Sequence, residues 1–231
     1  MKKKIVNYPG WELKYFDKAQ NFRNYQQNLI KKYINGTVAE VGPGNGINAK
    51  MYKKYCDKLH LFEPTKKLSI HLKKKFKSEV KIKVFNKRFK TSKSYYNSII
   101  YLDVIEHIKD HKLEIINAYD SLKKNGHLII NVPAFQFLYS QFDKDVDHIK
   151  RFKKNDYEKI FKKKKVENLN MFYYDSIGFC LSLVSRIFTK DYKSNFGLKI
   201  KFWNKLIILS KILDIILLYS VGKSLAVIVK K

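Results

Sequence analysis

The run TVAEVGPGNG, residues 37–46, joins an extended apolar segment carrying Glu40 to glycines at alternate positions, Gly42, Gly44 and Gly46. A residue without Cβ turns sharply and lets a ligand lie against bare backbone. The amides that open the following helix then hold a small polar group. Glu63, in HLFEP, is the first acidic residue after the next apolar segment. A nucleoside-binding α/β domain places a carboxylate there to accept from both ribose hydroxyls. The spacing G-x-G-x-G differs from the G-x-G-x-x-G of dinucleotide oxidoreductases, and Glu40 would repel a pyrophosphate. Phe85 and Asn86 end a third apolar segment, where the nucleobase should lie, so Asn86 is placed to read its edge.

A second constellation sits in FDKDVDHIKRF, with Asp143, Asp147, His148 and Arg151. It follows the fifth strand pattern, and ligands of open α/β sheets bind at the carboxyl ends of strands. A group transfer needs a nucleophile held in line and, for a hydroxyl, relieved of its proton. His148 is the preferred base because an imidazole titrates near neutral pH. Arg151 suits an anionic acceptor. The plainer reading is an Asp–His–Arg network that braces the loop. His107 is a second candidate base or a residue that orients its loop. His107 and His111 are four apart, but no third ligand and no H-E-x-x-H pattern accompany them, so no metal site is expected.

Strand and helix patterns must position these groups. VAEV, KLHLFE, VKIKVFN, SIIYLDV and GHLIINVP read as five strands, with helical segments over Ala49–Tyr55, Leu68–Phe76 and Lys112–Leu122. ENLNMFYY and SLAVIVKK read as a sixth and seventh. The alternation predicts an α/β, Rossmann-like, seven-stranded, mostly parallel sheet with helices on both faces. Residues 1–36 read as an N-terminal helical cover and 175–219 as an apolar helical insert between the last two strands. With no repeat and no Pro/Gly-rich linker, 1–231 reads as one domain. Lys205, Lys211 and Asp214 interrupt the second insert helix, which argues against a membrane span. That helix either packs on the sheet or a partner subunit, or lies on a membrane surface or caps a lipid-like substrate.

The chain carries a net charge of +28, yet only four of its 48 basic residues are arginines. Specific readers of nucleic acid rely on the planar fork of arginine. The excess of lysine, with Asn, Ile, Tyr and Phe, fits an AT-rich coding bias, and specific nucleic-acid binding is not expected. A lysine surface does admit contact with an anionic membrane face. Two cysteines give neither a disulfide framework nor metal-ligand spacing, and the basic start lacks the apolar stretch of a secretory signal. A cytoplasmic location is expected, with the inner face of the membrane as the surface it could meet.

AEVGPGNG, LDVIEHIKD, LKKNGHLIINVPA, YSQFDKDVDHIKRF and GKSLAVIVKK follow one another from residue 39 to the end. In that order the chain resembles a class I S-adenosylmethionine-dependent methyltransferase, of the bacterial small-molecule or envelope-associated kind. Pro43, Glu63 and Lys124-Asn125 depart from the commonest residues of that family without removing a needed chemical group. The resemblance implies S-adenosylmethionine as cofactor, with Asp103 at its methionine end, Glu40, Gly42, Gly44 and Gly46 around the loop, and Glu63 on the ribose. It implies transfer to a small-molecule, sugar or lipid-linked acceptor, with oxygen the expected atom. No D/N-P-P-Y/F segment or Pro-Cys follows the fourth strand, which disfavours DNA base methylation. The alternatives carried forward are a catalytically weak membrane-docked scaffold and an RNA methyltransferase. Oligomeric state is left open.

Overall fold

The computed structural model of the chain describes residues 10–90, 93–188 and 193–231. Parts of the expected cover (1–9) and insert (189–192) lie outside the described residues. Seven strands form one sheet: β1 (Thr37–Val41), β2 (Lys58–Phe62), β3 (Ile82–Phe85), β4 (Tyr96–Leu102), β5 (Leu122–Pro133), β6 (Asn168–Tyr174) and β7 (Ser224–Lys230). Their order is β3-β2-β1-β4-β5-β7-β6. The first five pair in parallel, and β7 runs antiparallel between β5 and β6. This is the mostly parallel, Rossmann-like arrangement the patterns predict.

The helices are α1 (Leu13–Phe16), α2 (Gln20–Ile30), α3 (Ile47–Tyr52), α4 (Lys66–Lys75), α5 (His111–Asp120), α6 (Gln141–Asp145), α7 (Lys154–Phe161), α8 (Ser176–Phe188) and α9 (Phe196–Ile216). Central strands covered on both faces read as near-continuous apolar runs. Accordingly Val38, Ala39, Ile99, Ile100, Tyr101, Ile129 and Ile130 are fully buried. One apolar cluster joins the sheet to α5 and α7 through Ile115, Ala118, Tyr157 and Phe161. Another joins it to α2, α3 and α4 through Ile30, Ala49, Tyr52 and Leu72. A third, smaller cluster packs α2 against α9 through Tyr25, Ile200, Trp203 and Ile207.

The chain leaves β1 toward β2 and β3, then returns to place β4 on the other side of β1. That reversal opens a crevice at the carboxyl ends of β1 and β4, where open α/β sheets bind ligands. The loops after β1, β2, β4 and β5 all converge there.

The insert is held by two buried carboxylates. Asp214 of α9 accepts the backbone amides of Asp175 (2.7 Å) and Ser176 (2.9 Å) and the Tyr25 hydroxyl (2.7 Å). Asp175 accepts from Trp203 Nε1 (2.9 Å), Ser210 Oγ (3.0 Å) and the Gly178 amide (2.9 Å). The open donors at the start of α8 are thus satisfied by side chains from both helices. Asp214, which looked like an interruption of an apolar helix, is a polar anchor within it.

Candidate functional site

A single cavity of about 760 Å³ runs along the crevice. Its volume lies within the range that small-molecule sites occupy. One end is built by the glycine loop. Gly42 has φ +67°, and a Cβ there would stand 2.7 Å from Val104 Cγ2. Gly44, at φ +55°, meets nothing closer than Leu13 at 3.7 Å, so its backbone lies open to the cavity. Gly46 caps α3 and packs on Leu72 and Phe76 behind the wall.

Glu63, at the end of β2, is 4% exposed and lines the cavity. Burial raises its pKa, while the amides of Thr65 and Gly44 work in the opposite direction. The Thr65 amide donates to its Oε1 at 2.8 Å. Asp103 stands at the end of β4 with φ +57°, a conformation uncommon for a non-glycine residue. Its carboxylate reaches solvent through the cavity but is ringed by protein, and that burial raises its pKa. Asn131 Nδ2 donates to Asp103 Oδ1 at 2.7 Å.

Two expected ligand residues stand elsewhere. Glu40 is 2% exposed and lies behind the loop rather than in the cavity wall. Burial lifts its pKa to about 7, against the pull of nearby groups that include the Arg23 guanidinium. Asn86 is exposed, and its amide donates to the carbonyls of Glu63 (3.0 Å) and Pro64 (3.1 Å). The sequence placed it at a nucleobase edge; the structure has it pinning the loop after β2, because those carbonyls lack strand partners.

The other end holds the histidines. Asp143 is fully buried and accepts from His148 Nδ1 (2.8 Å), Arg151 Nε and Nη2 (both 2.9 Å), and the Ser140 amide (2.9 Å). Burial works against its charge, but the bonds from His148 and Arg151 hold its pKa well below the usual carboxylate range. His148 therefore carries its proton on Nδ1 and presents Nε2 toward Glu106, 3.8 Å away. Arg151, 5% exposed, spends its guanidinium on Asp143 and stands behind the histidine. His107 Nδ1 lies 3.2 Å from the Asp147 carbonyl. Burial and the neighbouring His148 lower its pKa to about 4.

Glu106 is 1% exposed, and neither carboxylate oxygen has a hydrogen-bond partner. Burial, together with Asp103 and Asp143, pushes its pKa well above the usual range. Glu106, His107 and His148 offer ligand atoms within 4.8 Å of one another, a set the His107–His111 spacing did not reveal. A tetrahedral ion with bonds of about 2.1 Å wants such atoms about 3.4 Å apart, so this set would have to contract to hold one.

Aromatic side chains, Phe16, Phe22, Phe142 and Trp203, form part of the remaining wall. Arg23, Arg88 and Arg151 all line the cavity. Arg23 bonds to the Phe16 carbonyl (3.1 Å) and Asn48 (2.8 Å), and Asp17 accepts from Asn45 (2.7 Å), tying the N-terminal helices to the glycine loop. Of these groups only Arg151 was singled out from sequence. Their one signal is scarcity: in a chain that uses lysine almost everywhere, three of four arginines meet at one cavity.

The sequence model of a methyltransferase domain family matches residues 14–176. No curated protein sequence matches the chain. Among solved structures, a protein from Bacillus halodurans described as a methyltransferase is 15% identical with a TM-score of 0.58, covering 90% of this chain and 97% of that one. A SAM-dependent methyltransferase from Archaeoglobus fulgidus is 15% identical with a TM-score of 0.63, covering 96% and 98%. Phosphoethanolamine N-methyltransferase 2 of Haemonchus contortus, in complex with S-adenosyl-L-methionine, is 13% identical with a TM-score of 0.64; the match covers 99% of this chain and 61% of that one.

Proposed function

The chain belongs to the methyltransferase domain family and has the class I fold of its S-adenosylmethionine-dependent members, and from that premise we propose that it moves a methyl group from S-adenosylmethionine to an oxygen of a small-molecule, sugar or lipid-linked acceptor. The observation that carries this reading is one continuous cavity with two chemically different ends. At one end lie bare backbone at Gly44 and the carboxylates of Glu63 and Asp103; at the other, His148 backed by Asp143.

The donor end fits the cofactor. Gly42 and Gly44 adopt positive φ; Gly42 lets the loop close against Val104, and Gly44 leaves bare backbone open to the cavity. Glu63 is held by a backbone amide and faces the cavity, ready to accept from two ribose hydroxyls. Asp103, fixed by Asn131, lines the cavity and would meet the positively charged methionine end of the cofactor. Glu40 supports the loop from behind, and Asn86 supports the segment that carries Glu63. When bound, S-adenosylmethionine supplies an electrophilic methyl carbon.

His148 takes the acceptor's proton on Nε2. Asp143 fixes its tautomer and stabilises the imidazolium that forms, as the carboxylate of a catalytic triad does. Arg151 is a positioning residue that holds Asp143 ionised. His107, neutral at physiological pH by its lowered pKa, orients the loop that carries Glu106. The aromatic wall excludes water and accepts an apolar portion of the acceptor. Two unpaired cysteines, Cys56 and Cys180, fit a cytoplasmic setting.

Titration calorimetry with S-adenosylhomocysteine tests the donor half. One site per chain is expected, weakened roughly tenfold or more by Glu63→Ala. No heat and no thermal shift at about millimolar ligand rejects the reading.

A further inference from the structure

The outward face of α9 has no part in the site described above. At about 100° per residue, Leu198, Phe202, Ile208, Leu209, Ile212 and Ile216 fall within roughly 60° on either side of Lys205. These six side chains are between 49% and 66% exposed. The opposite stripe, Ile200, Trp203, Ile207, Ser210 and Asp214, is buried against the body of the protein. Single exposed apolar residues are ordinary, but a continuous stripe along a 21-residue helix is an interaction surface.

Its charge selects the occupant. α9 contains Lys199, Lys201, Lys205 and Lys211, and its one carboxylate, Asp214, is fully buried. Lys205 stands at the centre of the apolar stripe, with Lys201 about 40° away. Packing this face against a second copy would bury those ammonium groups among leucine and isoleucine and bring like charges together, which is unfavourable without a counter-charge. A negatively charged lipid surface accepts both parts: the apolar side chains enter the acyl boundary while the lysines reach back to the phosphates. No helix among the described residues is long and apolar enough to cross a membrane, so α9 would lie along the surface.

We propose that α9 is a docking helix that lies in the interface of an anionic lipid bilayer. Trp203, on its opposite stripe, lines the cavity, so docking sets the cavity within about one helix width of the lipid. That consequence rests on the methyl-transfer reading and selects a lipid-linked acceptor over a free one.

The test is co-sedimentation of the whole chain with vesicles containing phosphatidylglycerol, against vesicles of phosphatidylcholine alone. Binding to the anionic vesicles is expected, at least tenfold weaker on the neutral ones and at least tenfold weaker at about 0.5 M salt. The double change Leu209→Ser, Ile212→Ser removes apolar surface without altering charge and should weaken vesicle binding at least tenfold. Its S-adenosylhomocysteine affinity and melting temperature should stay at the parent's values, which separates loss of docking from loss of fold or of the methyl-transfer site. Undiminished vesicle binding by this variant, absence of binding to anionic vesicles, or a parent dimer that the variant turns into a monomer would each overturn the proposal.

Discussion

Asn131, buried in β5, donates to Asp103 at the end of the neighbouring β4 across 2.7 Å. Its own carbonyl oxygen accepts from the Tyr174 hydroxyl at 2.8 Å, and that hydroxyl accepts from Gln26 at 3.0 Å. A chain of bonds thus leads from the N-terminal helix through β6 and β5 to a carboxylate in the cavity, and it holds Asp103 in a conformation the backbone alone disfavours. Asn131→Ala is expected to weaken S-adenosylhomocysteine binding about tenfold, the value of one hydrogen bond to a charged group. Calorimetry on a variant with an unchanged circular dichroism spectrum measures it.

Gly42→Ala places a methyl group 2.7 Å from Val104 on a backbone at φ +67°. Strain and clash together should cost about 1–3 kcal/mol of stability. The loop must shift to relieve them, so cofactor affinity should fall more than tenfold. Urea unfolding and calorimetry report the two effects separately.

Burial raises Glu40 from 4.5 to about 7. Between those values the folded chain keeps a proton that the unfolded chain has released. The group's contribution to stability is therefore full below about pH 4.5 and lost as pH rises through 7. Glu40→Gln removes this dependence. The difference in unfolding free energy between pH 5 and pH 8 should change by about 2–4 kcal/mol relative to the parent, with the variant the more stable at pH 8.

His148→Ala should lower kcat by about 10²–10⁴, the usual range for a positioned base, while S-adenosylhomocysteine affinity stays within about twofold. Asp143→Asn should lower kcat as well and should also destabilise the fold by about 3–5 kcal/mol, since it leaves the buried Arg151 guanidinium without its partner. An unchanged kcat in His148→Ala would remove the proton-transfer role from this residue.

Asp214→Ala deprives the Asp175 and Ser176 amides and the Tyr25 hydroxyl of their acceptor at once. A loss of about 2–4 kcal/mol in chemical unfolding is expected. Asp214→Asn should cost less, because its remaining carbonyl oxygen still serves part of the set.

The sheet was legible because its strands are near-continuous apolar runs separated by helical spacing, and each of the seven patterned segments became a strand. The glycine loop and Glu63 were legible because backbone geometry and a strand-end position restrict residue type there. The roles of Arg151 and Asn86 were harder to read. An arginine or asparagine at a loop looks alike whether it meets a ligand or a neighbouring carboxylate or carbonyl, and only coordinates show Asp143 and the Glu63 carbonyl in reach. Glu106 was likewise invisible as a buried carboxyl with a raised pKa, since its company, His107 and His148, is assembled by two separate loops. Asp214 read as a break in an apolar segment, and Asp175 drew no notice, because local patterning cannot show that each lies against the other's helix.

Those two aspartates bear on how this enzyme could diversify. The α8–α9 unit contributes Trp203 to the cavity wall but neither the loop around Gly44 nor Glu63. Exchanging this unit between proteins is expected to alter the cavity wall at Trp203 while Gly44 and Glu63 keep their places, although α9 also packs on α2. A transplant would have to carry Asp175, Ser210 and Asp214 together and find a tyrosine waiting at position 25 of the recipient, or the imported pair would arrive unlatched.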